Sequence, residues 1–527
     1  MWRLGMRSMR GAAAAVAAAG GGIVCYCESR LQATTSDHSS QVYVKSQRHL
    51  TTASSENPNP TAVPPPISPL SGTLGVRHII SIIGLPDRGK TFIAHQLARY
   101  LTFFHGADCK LFDINDFCGQ DEEDPATREQ SGRALLKEVC TFMDSSNAAA
   151  QANLIDIDEN DSRQKNADSG KVAIVFDSKS SEHLHEYWSG ATKERRRWLS
   201  NTIKRYDRDV QLMFVEIAVD TSRMLENLNL LLGRTPTDAE VVAHEKRTKI
   251  YLQSYVTLQT DGSEDDISWL KLLNYRDMTT NRMHGYLRMR VAQFLSTLHP
   301  GQHVIYLSRH GFSEYNQLKK IGGNPPLTKW GHEYAKRLGA WAAENVATKP
   351  DGSAAKARLW TSSLQRTIQT AQHIPHPHLP PDEEGLSWEQ MKPRVYRNID
   401  EIYAGEYEGF TYAQVKERFA ADAQLRKDDK IGFRYPRGES YYDLISRIDP
   451  VIHELQTYRE PLLVVSHQAL LRPLRAYLLG LPRESAPSYE IPLHTVMKIT
   501  WDGWHPPKEE HIYLGPEVPK DDGQKNL

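Results

Sequence analysis

An α/β architecture with two parallel-sheet domains is predicted by two strand-to-turn junctions and by the alternation of segments around them. The first junction is Val76-Arg-His-Ile-Ile-Ser-Ile-Ile-Gly84-Leu-Pro-Asp-Arg-Gly89-Lys90-Thr91, an apolar run, a glycine-bounded loop and a helical segment through Gln96 to Leu101. The second is Ile305-Tyr-Leu-Ser-Arg309-His310-Gly311, a short apolar strand ending in a turn. Strand-like and helix-like segments alternate through both halves, which is the pattern of mainly parallel sheets. A chain of 527 residues has room for two such cores of about 200 to 230 residues each.

Taken in chain order, residues 1–71 are expected to be an extension and linker. Met1 to Arg30 carries Arg3, Arg7 and Arg10, then the Ala/Gly-rich stretch Gly11 to Gly22, with no acid before Glu28. Two readings stand side by side: a targeting segment, with a transit peptide ahead of a secretory signal, and a disordered extension. Leu31 to Ser71 is rich in Ser, Thr and Pro and reads as a flexible linker. No later run reaches the roughly eighteen apolar residues of a membrane span.

The first domain is expected over residues 72–300. Gly84, Leu85, Pro86, Asp87, Arg88, Gly89, Lys90 and Thr91 fit G-x-x-x-x-G-K-[ST] between a strand and a helix, the context that motif requires. Backbone N–H groups of such a loop cradle phosphates at a helix N-terminus, with Lys90 on the β- and γ-phosphates and Thr91 on Mg²⁺. Lys171-Val-Ala-Ile-Val-Phe-Asp177 is a second buried-type strand, and Asp177 at its end is the natural metal or base residue, although such an Asp is often only a helix cap. Asp144 to Gly170 reads as a polar surface insertion. Tyr255 to Thr260 and a helix over Asp277 to Leu298, with Met283, Tyr286, Leu287, Val291 and Phe294 on its apolar face, are expected to lead into the domain junction.

The second domain is expected over residues 303–515, with a flexible tail over 516–527. Three junctions would bring basic groups to one sheet edge: Arg309-His310-Gly311, Thr361-Ser-Ser-Leu-Gln-Arg366, and Ser466-His467-Gln468 after Pro461-Leu-Leu-Val-Val. Ligand sites in open α/β sheets lie outside the carboxyl ends of strands. An imidazole there can attack phosphorus and carry the phosphoryl group, provided cations neutralise the transferring oxygens. His467 alone would read as a core histidine and Glu401 alone as a surface carboxylate; their coincidence with the Arg-His-Gly turn favours a site.

Ser308-Arg-His-Gly-Phe-Ser-Glu-Tyr-Asn316, Ile321-Gly-Gly-Asn-Pro, Arg366-Thr-Ile-Gln-Thr-Ala, Tyr435-Pro-Arg-Gly-Glu-Ser-Tyr441 and His467-Gln-Ala-Leu-Leu-Arg472 resemble the phosphatase half of the bifunctional 6-phosphofructo-2-kinase/fructose-2,6-bisphosphatase family. The resemblance implies a histidine phosphatase (phosphoglycerate mutase-like) α/β domain after a P-loop NTPase-like kinase domain. It implies that His310 is the nucleophile, that Glu401 is the general acid/base, and that Arg309, Arg366 and His467 clamp the phosphoryl group. Asn316, Gly322, Tyr412, Arg426, Lys430, Tyr441, Gln468 and Arg472 fall where the family contacts the sugar bisphosphate. In the first half, Arg128, Arg195, Arg247 and Tyr251 fall where it binds fructose 6-phosphate. The implied cofactors are ATP and Mg²⁺ at the first domain, held through Thr91 and Asp177, and none for the phosphatase.

Five residues at four places depart from the family pattern. Phe312 replaces the acid usual after Arg-His-Gly. Cys118-Gly119 stands where the family has paired arginines, Leu232 where it has a lysine, and Lys179 where it has a threonine, ahead of about ten extra residues. Loss of cations around an anionic substrate predicts nucleotide binding with weak or absent kinase turnover.

A net charge of −1 gives no support for nucleic-acid or membrane-surface partners, so small sugar phosphates and ATP are the expected ligands, with a homodimer as one assembly. The five cysteines, Cys25, Cys27, Cys109, Cys118 and Cys140, include no Cys-x-x-Cys and fit a reducing, cytoplasmic compartment, with a mitochondrial or other organellar address as the alternative from the N-terminus. Three functional readings follow: a fructose-2,6-bisphosphatase with a degenerate kinase, a working bifunctional enzyme, and a non-catalytic regulatory binder. A histidine phosphatase acting on another substrate is a neighbour of the first.

Overall fold

The computed structural model describes residues 76–117, 125–144, 170–178, 190–349, 351–381 and 385–518, with the side chains of 125–129 left aside. The N-terminal extension, Cys118, Gly119, Lys179, the insertion over 145–169 and the tail from 519 lie outside the described residues.

The first half contains strands β1 (His78–Ile83), β2 (Asp108–Asp113), β3 (Lys171–Phe176), β4 (Gln211–Ala218), β5 (Trp269–Leu273) and β6 (Asp277–Asn281). Its helices are α1 (Lys90–His105), α2 (Pro125–Asp144), α3 (Lys193–Tyr206), α4 (Thr221–Leu232), α5 (Asp238–Tyr251) and α6 (Tyr286–Leu295). The strands form one sheet in the order β2-β3-β1-β4-β5-β6, parallel except for the final β5–β6 pair. Every residue of β1 and β3 is buried, as expected for parallel strands covered on both faces. The helix expected over Asp277 to Leu298 is in fact two elements. Asp277–Asn281 is an edge strand, and the helix spans only Tyr286–Leu295. Tyr255 to Thr260 does not lead to the junction; it folds onto β4, where the Tyr255 and Thr257 hydroxyls and the Leu258 N–H all donate to Glu216.

The second half contains β7 (His303–Arg309), β8 (Arg358–Thr361), β9 (His378–Leu379), β10 (Trp388–Glu389), β11 (Pro393–Val395), β12 (Leu462–Ser466), β13 (Thr495–Trp501) and β14 (Lys508–Tyr513). Its helices are α7 (Glu314–Leu318), α8 (Lys329–Asn345), α9 (Gln365–Ala371), α10 (Tyr412–Arg418), α11 (Ala420–Asp428), α12 (Tyr441–Thr457) and α13 (Gln468–Leu479). The main sheet runs β11-β8-β12-β7-β13-β14, parallel through its first four strands and antiparallel in its last two pairs. β12 is central and buried throughout, and its Ser466 is in register with Arg309 of β7. That register is what places the two histidine turns side by side.

The halves pack through α1 and α6 of the first against α12 and α13 of the second. Tyr100, stacked on Phe294 of its own half at 4.1 Å, donates its hydroxyl across to Asp449 at 3.0 Å, and Arg290 lies 3.4 Å from Asp449. Phe103 and Phe104 meet Tyr477 edge-on. Among the described residues no helix is long and apolar enough to cross a membrane.

Candidate functional site

The C-terminal site is built at the ends of β7, β8 and β12. The His310 N–H donates to the Ser466 carbonyl at 3.0 Å, so the backbone of one turn is tied to the other and the His310 and His467 rings sit 5.2 Å apart. His310 Nδ1 lies 2.8 Å from the Gly311 carbonyl. A carbonyl only accepts, so Nδ1 carries the proton and Nε2 keeps its lone pair for attack. His467 is the N-cap of α13; its Nε2 bonds the Ser362 hydroxyl at 2.6 Å, and its Nδ1 has no partner among the described residues. Burial first, and then the charges of Arg366 and Arg309, hold both imidazoles well below the ordinary histidine value, so both are neutral at pH 7.

Arg366 is buried on α9 and donates to the Gly323 carbonyl at 2.8 Å. Gly322 has φ of 64°, and a Cβ there would stand 2.3 Å from the Glu408 carboxylate, so this position requires glycine. Burial pushes the Arg309 guanidinium down to about 10, with the Glu401 charge opposing that shift, and it remains charged at neutral pH. Glu401 follows the short 3₁₀ turn Arg397–Ile399, and its Oε1 accepts from the Ala469 N–H in the first turn of α13 at 3.0 Å. The Asn316 carboxamide oxygen is taken up by the Ser313 N–H and hydroxyl in a capping box, which leaves its NH₂ for a ligand.

A second cationic group lies beyond. Arg426 donates to the Tyr435 hydroxyl at 3.0 Å and lies 4.9 Å from the Tyr412 ring centre. Arg472 donates to the Tyr441 hydroxyl at 3.0 Å and to the Tyr489 carbonyl at 2.6 Å. Burial, with Arg472 and Arg426 beside it, pushes Lys430 down to about 8. Arg472 also acts on Arg309, so the two groups belong to one basic surface. Gln468 opens α13 between His467 and Ala469, half-buried. Ser362 and the Asp400 carboxylate, which accepts from the Ser363 N–H at 2.7 Å, were not singled out in the sequence.

In the first half the loop takes the expected form, with Gly84 and Gly89 at positive φ and helix α1 starting at Lys90. Lys90 Nζ donates to the Gly84 and Leu85 carbonyls, each at 3.0 Å. Arg88 donates to the Asp220 carbonyl at 2.9 Å, and its own carbonyl accepts from the Tyr275 hydroxyl at 2.8 Å. Beside Tyr275 a cavity of about 200 Å³ opens between the halves, lined by Asn227, Thr297, His299 and Arg459 among others. Asp177 accepts from Asn115 Nδ2 at 3.1 Å and from the Tyr251 hydroxyl.

Comparison with known proteins agrees with both halves. The family described as 6-phosphofructo-2-kinase matches residues 71–302, and the histidine phosphatase superfamily (branch 1) matches residues 305–511. A 6-phosphofructo-2-kinase/fructose-2,6-bisphosphatase of Aquarana catesbeiana is 34% identical over 471 residues, 85% of this chain and 87% of that protein. The chain belongs to the 6-phosphofructo-2-kinase/fructose-2,6-bisphosphatase family. A relative of the same name from Caenorhabditis elegans is 32% identical over 453 residues, 82% of this chain and 89% of that protein. A Saccharomyces cerevisiae relative named fructose-2,6-bisphosphatase is 31% identical over 446 residues, covering 82% of this chain and 88% of its own.

Of the four residues that the resemblance assigned to fructose 6-phosphate, three have partners of their own. Arg247 is paired with Asp87 of the loop at 2.8 Å, Tyr251 is bonded to Asp177, and Arg195 lies 4.5 Å from the Trp198 ring centre. Arg128 lies in the first turn of α2. Leu232, at the family's lysine position, is the last residue of α4. Of the three cations that could replace that lysine, Lys179 lies outside the described residues and the other two are engaged: Arg234 is held at both terminal nitrogens by Glu240, and Lys193 by Gln259, Asp261 and Ser263.

Proposed function

We propose that the C-terminal half hydrolyses fructose 2,6-bisphosphate to fructose 6-phosphate and phosphate through a phosphohistidine, and that the N-terminal half binds Mg-ATP with weak or absent kinase turnover. The observation that carries the phosphatase reading is the pair of neutral, buried histidines at one sheet edge between Arg309 and Arg366. In the first step the lone pair of His310 Nε2 forms a bond to the 2-phosphorus while the bond from phosphorus to the sugar oxygen breaks. Glu401 serves as the general acid and gives a proton to that oxygen. Arg309, Arg366 and His467 hold the equatorial oxygens as charge builds. In the second step water attacks phosphorus, the N–P bond breaks, and the Glu401 carboxylate takes the water proton. Arg426, Lys430 and Arg472 hold the 6-phosphate and so orient the reacting one.

In the N-terminal half, Thr91 and Asp177 offer the hard oxygen donors that suit Mg²⁺, which when bound would neutralise charge between nucleotide phosphates. Lys90 and the loop N–H groups would hold the phosphates, and the cavity beside Tyr275 has room for part of the nucleoside. The relative named only for the phosphatase supports a chain in which that activity dominates. The intact loop geometry favours, as a second reading, a working bifunctional enzyme. The test of the phosphatase reading is His310→Ala, which should abolish both turnover of fructose 2,6-bisphosphate and trapping of acid-labile radiophosphate; full activity in that variant would overturn it.

A further inference from the structure

Five consecutive carbonyls run from Arg397 to Glu401, and each meets a side-chain donor. Arg447 of α12 supplies four. Its Nη1 donates to the carbonyls of Arg397 and Asn398, both at 3.2 Å, and of Asp400 at 3.0 Å, while Nη2 donates to that of Glu401 at 3.4 Å. The fifth, Ile399, accepts from the Ser466 hydroxyl at 2.6 Å. Glu439 holds Nη2 at 3.0 Å and also accepts from the Tyr403 N–H at 2.9 Å, so it fixes the guanidinium and the far end of the same loop together.

An arginine on a helix surface ordinarily makes an exposed ion pair of little consequence. Here only 20% of the side chain is exposed, and most of its donors go to backbone. Two of the held carbonyls belong to the acidic residues of the loop, Asp400 and Glu401, whose side chains bond beside the second histidine. Asp400 accepts from the Ser363 N–H and hydroxyl at 2.7 and 2.6 Å, next to the serine that bonds His467. Glu401 accepts from the Ala469 N–H at 3.0 Å, two residues after His467. A loop without regular hydrogen bonding would leave a proton donor free to wander, and a displacement of about 1 Å from productive geometry costs on the order of 100-fold in rate.

We propose that Arg447 is the positioning residue of the phosphatase reaction, holding the 397–401 loop so that the Glu401 carboxyl stands at the leaving sugar oxygen. Its hydrogen bonds go to the loop backbone and to Glu439, and none goes to His310, His467 or the Glu401 carboxyl. This rests on the reading of Glu401 as general acid, and the test separates the two. Fructose 2,6-bisphosphate has an alkoxide leaving group that needs a proton, whereas 2,4-dinitrophenyl phosphate does not. Arg447→Met should lower kcat for the bisphosphate about 100-fold with KM within about twofold, yet leave the pre-steady-state burst of dinitrophenolate within about threefold. Glu401→Gln should show the same split, and the double variant should be no slower than Glu401→Gln alone. Equal losses on both substrates, or losses that multiply in the double variant, would overturn the positioning role. If Arg447→Met does not fold, Arg447→Lys, which keeps the charge and loses the planar fork, should show a smaller loss with the same split, and an even loss there overturns the role as well. If Glu401→Gln shows no dependence on the leaving group, the general-acid reading fails and the proposal falls with it.

Discussion

Asp87 puts a carboxylate on the phosphate loop itself, and Arg247 of α5 binds it, Nη2 to Oδ2 at 2.8 Å. His244 Nδ1 lies 2.6 Å from the same oxygen. Burial works against the charge of Asp87, but the His244 hydrogen bond and the Arg247 charge outweigh it and hold the carboxyl below the usual range. On the proposed reading the loop therefore carries an anion where nucleotide phosphates would bind, and that anion engages Arg247, which the same reading gives to the sugar phosphate.

Asp87→Asn should accordingly tighten Mg-ATP binding. The amide keeps an acceptor for His244, removes the repulsion on the triphosphate and frees Arg247. With screening near the surface, a gain of about tenfold, or about 1.4 kcal/mol, is expected. Calorimetric titration of the variant beside the wild-type protein checks it. Unchanged or weaker binding would mean that the carboxylate faces away from the bound phosphates.

The remote cations predict a pH dependence of substrate affinity. Lys430 is pushed down to about 8 by burial and by Arg472 and Arg426, so it carries its charge below that pH and loses it above. KM for fructose 2,6-bisphosphate should therefore rise as pH passes through 8 toward 9, with kcat little changed, because a contact to the non-reacting phosphate contributes uniform binding. Lys430→Arg, whose charge does not titrate in this range, should flatten the rise. The matching control is a small aryl phosphate with no second phosphate, and an equal rise in its KM would remove Lys430 from the 6-phosphate site.

Both halves were legible where the physics is local. β1, β7 and β12 are short apolar runs ending in charged or glycine-rich turns, and strands buried on both faces leave little choice of residue. The edge strand Asp277–Asn281 was not legible. Its five residues are largely exposed and show no apolar period, and its pairing with β5 depends on the turn through Asn274 and Tyr275, both at positive φ. The paired histidines followed from motif spacing, but Arg447 reaches carbonyls 46 to 50 positions away, and no sequence pattern marks one helix arginine for that task. In the sequence Asp87 is one more loop position, because its partner Arg247 lies 160 residues on.

The last prediction concerns the kinase. On the proposed reading the loop, Lys90, Thr91 and Asp177 would hold a nucleotide, whereas Leu232 removes a cation, Arg247 is bound to Asp87 and Tyr251 to Asp177. Arg234 and Lys193 are tied to acids or amides and cannot fill the vacancy without breaking those bonds. If each lost charge-assisted contact costs about 1.5–3 kcal/mol, two such losses lower turnover by roughly two to four orders of magnitude. Formation of fructose 2,6-bisphosphate should therefore be undetectable or slow in a His310→Ala background, which prevents the product from being destroyed, although Mg-ATP binds. Leu232→Lys in that background restores one cation and should raise turnover by about one to two orders of magnitude. Brisk synthesis by the His310→Ala protein without that change would establish that the substitutions are compensated and that both halves work.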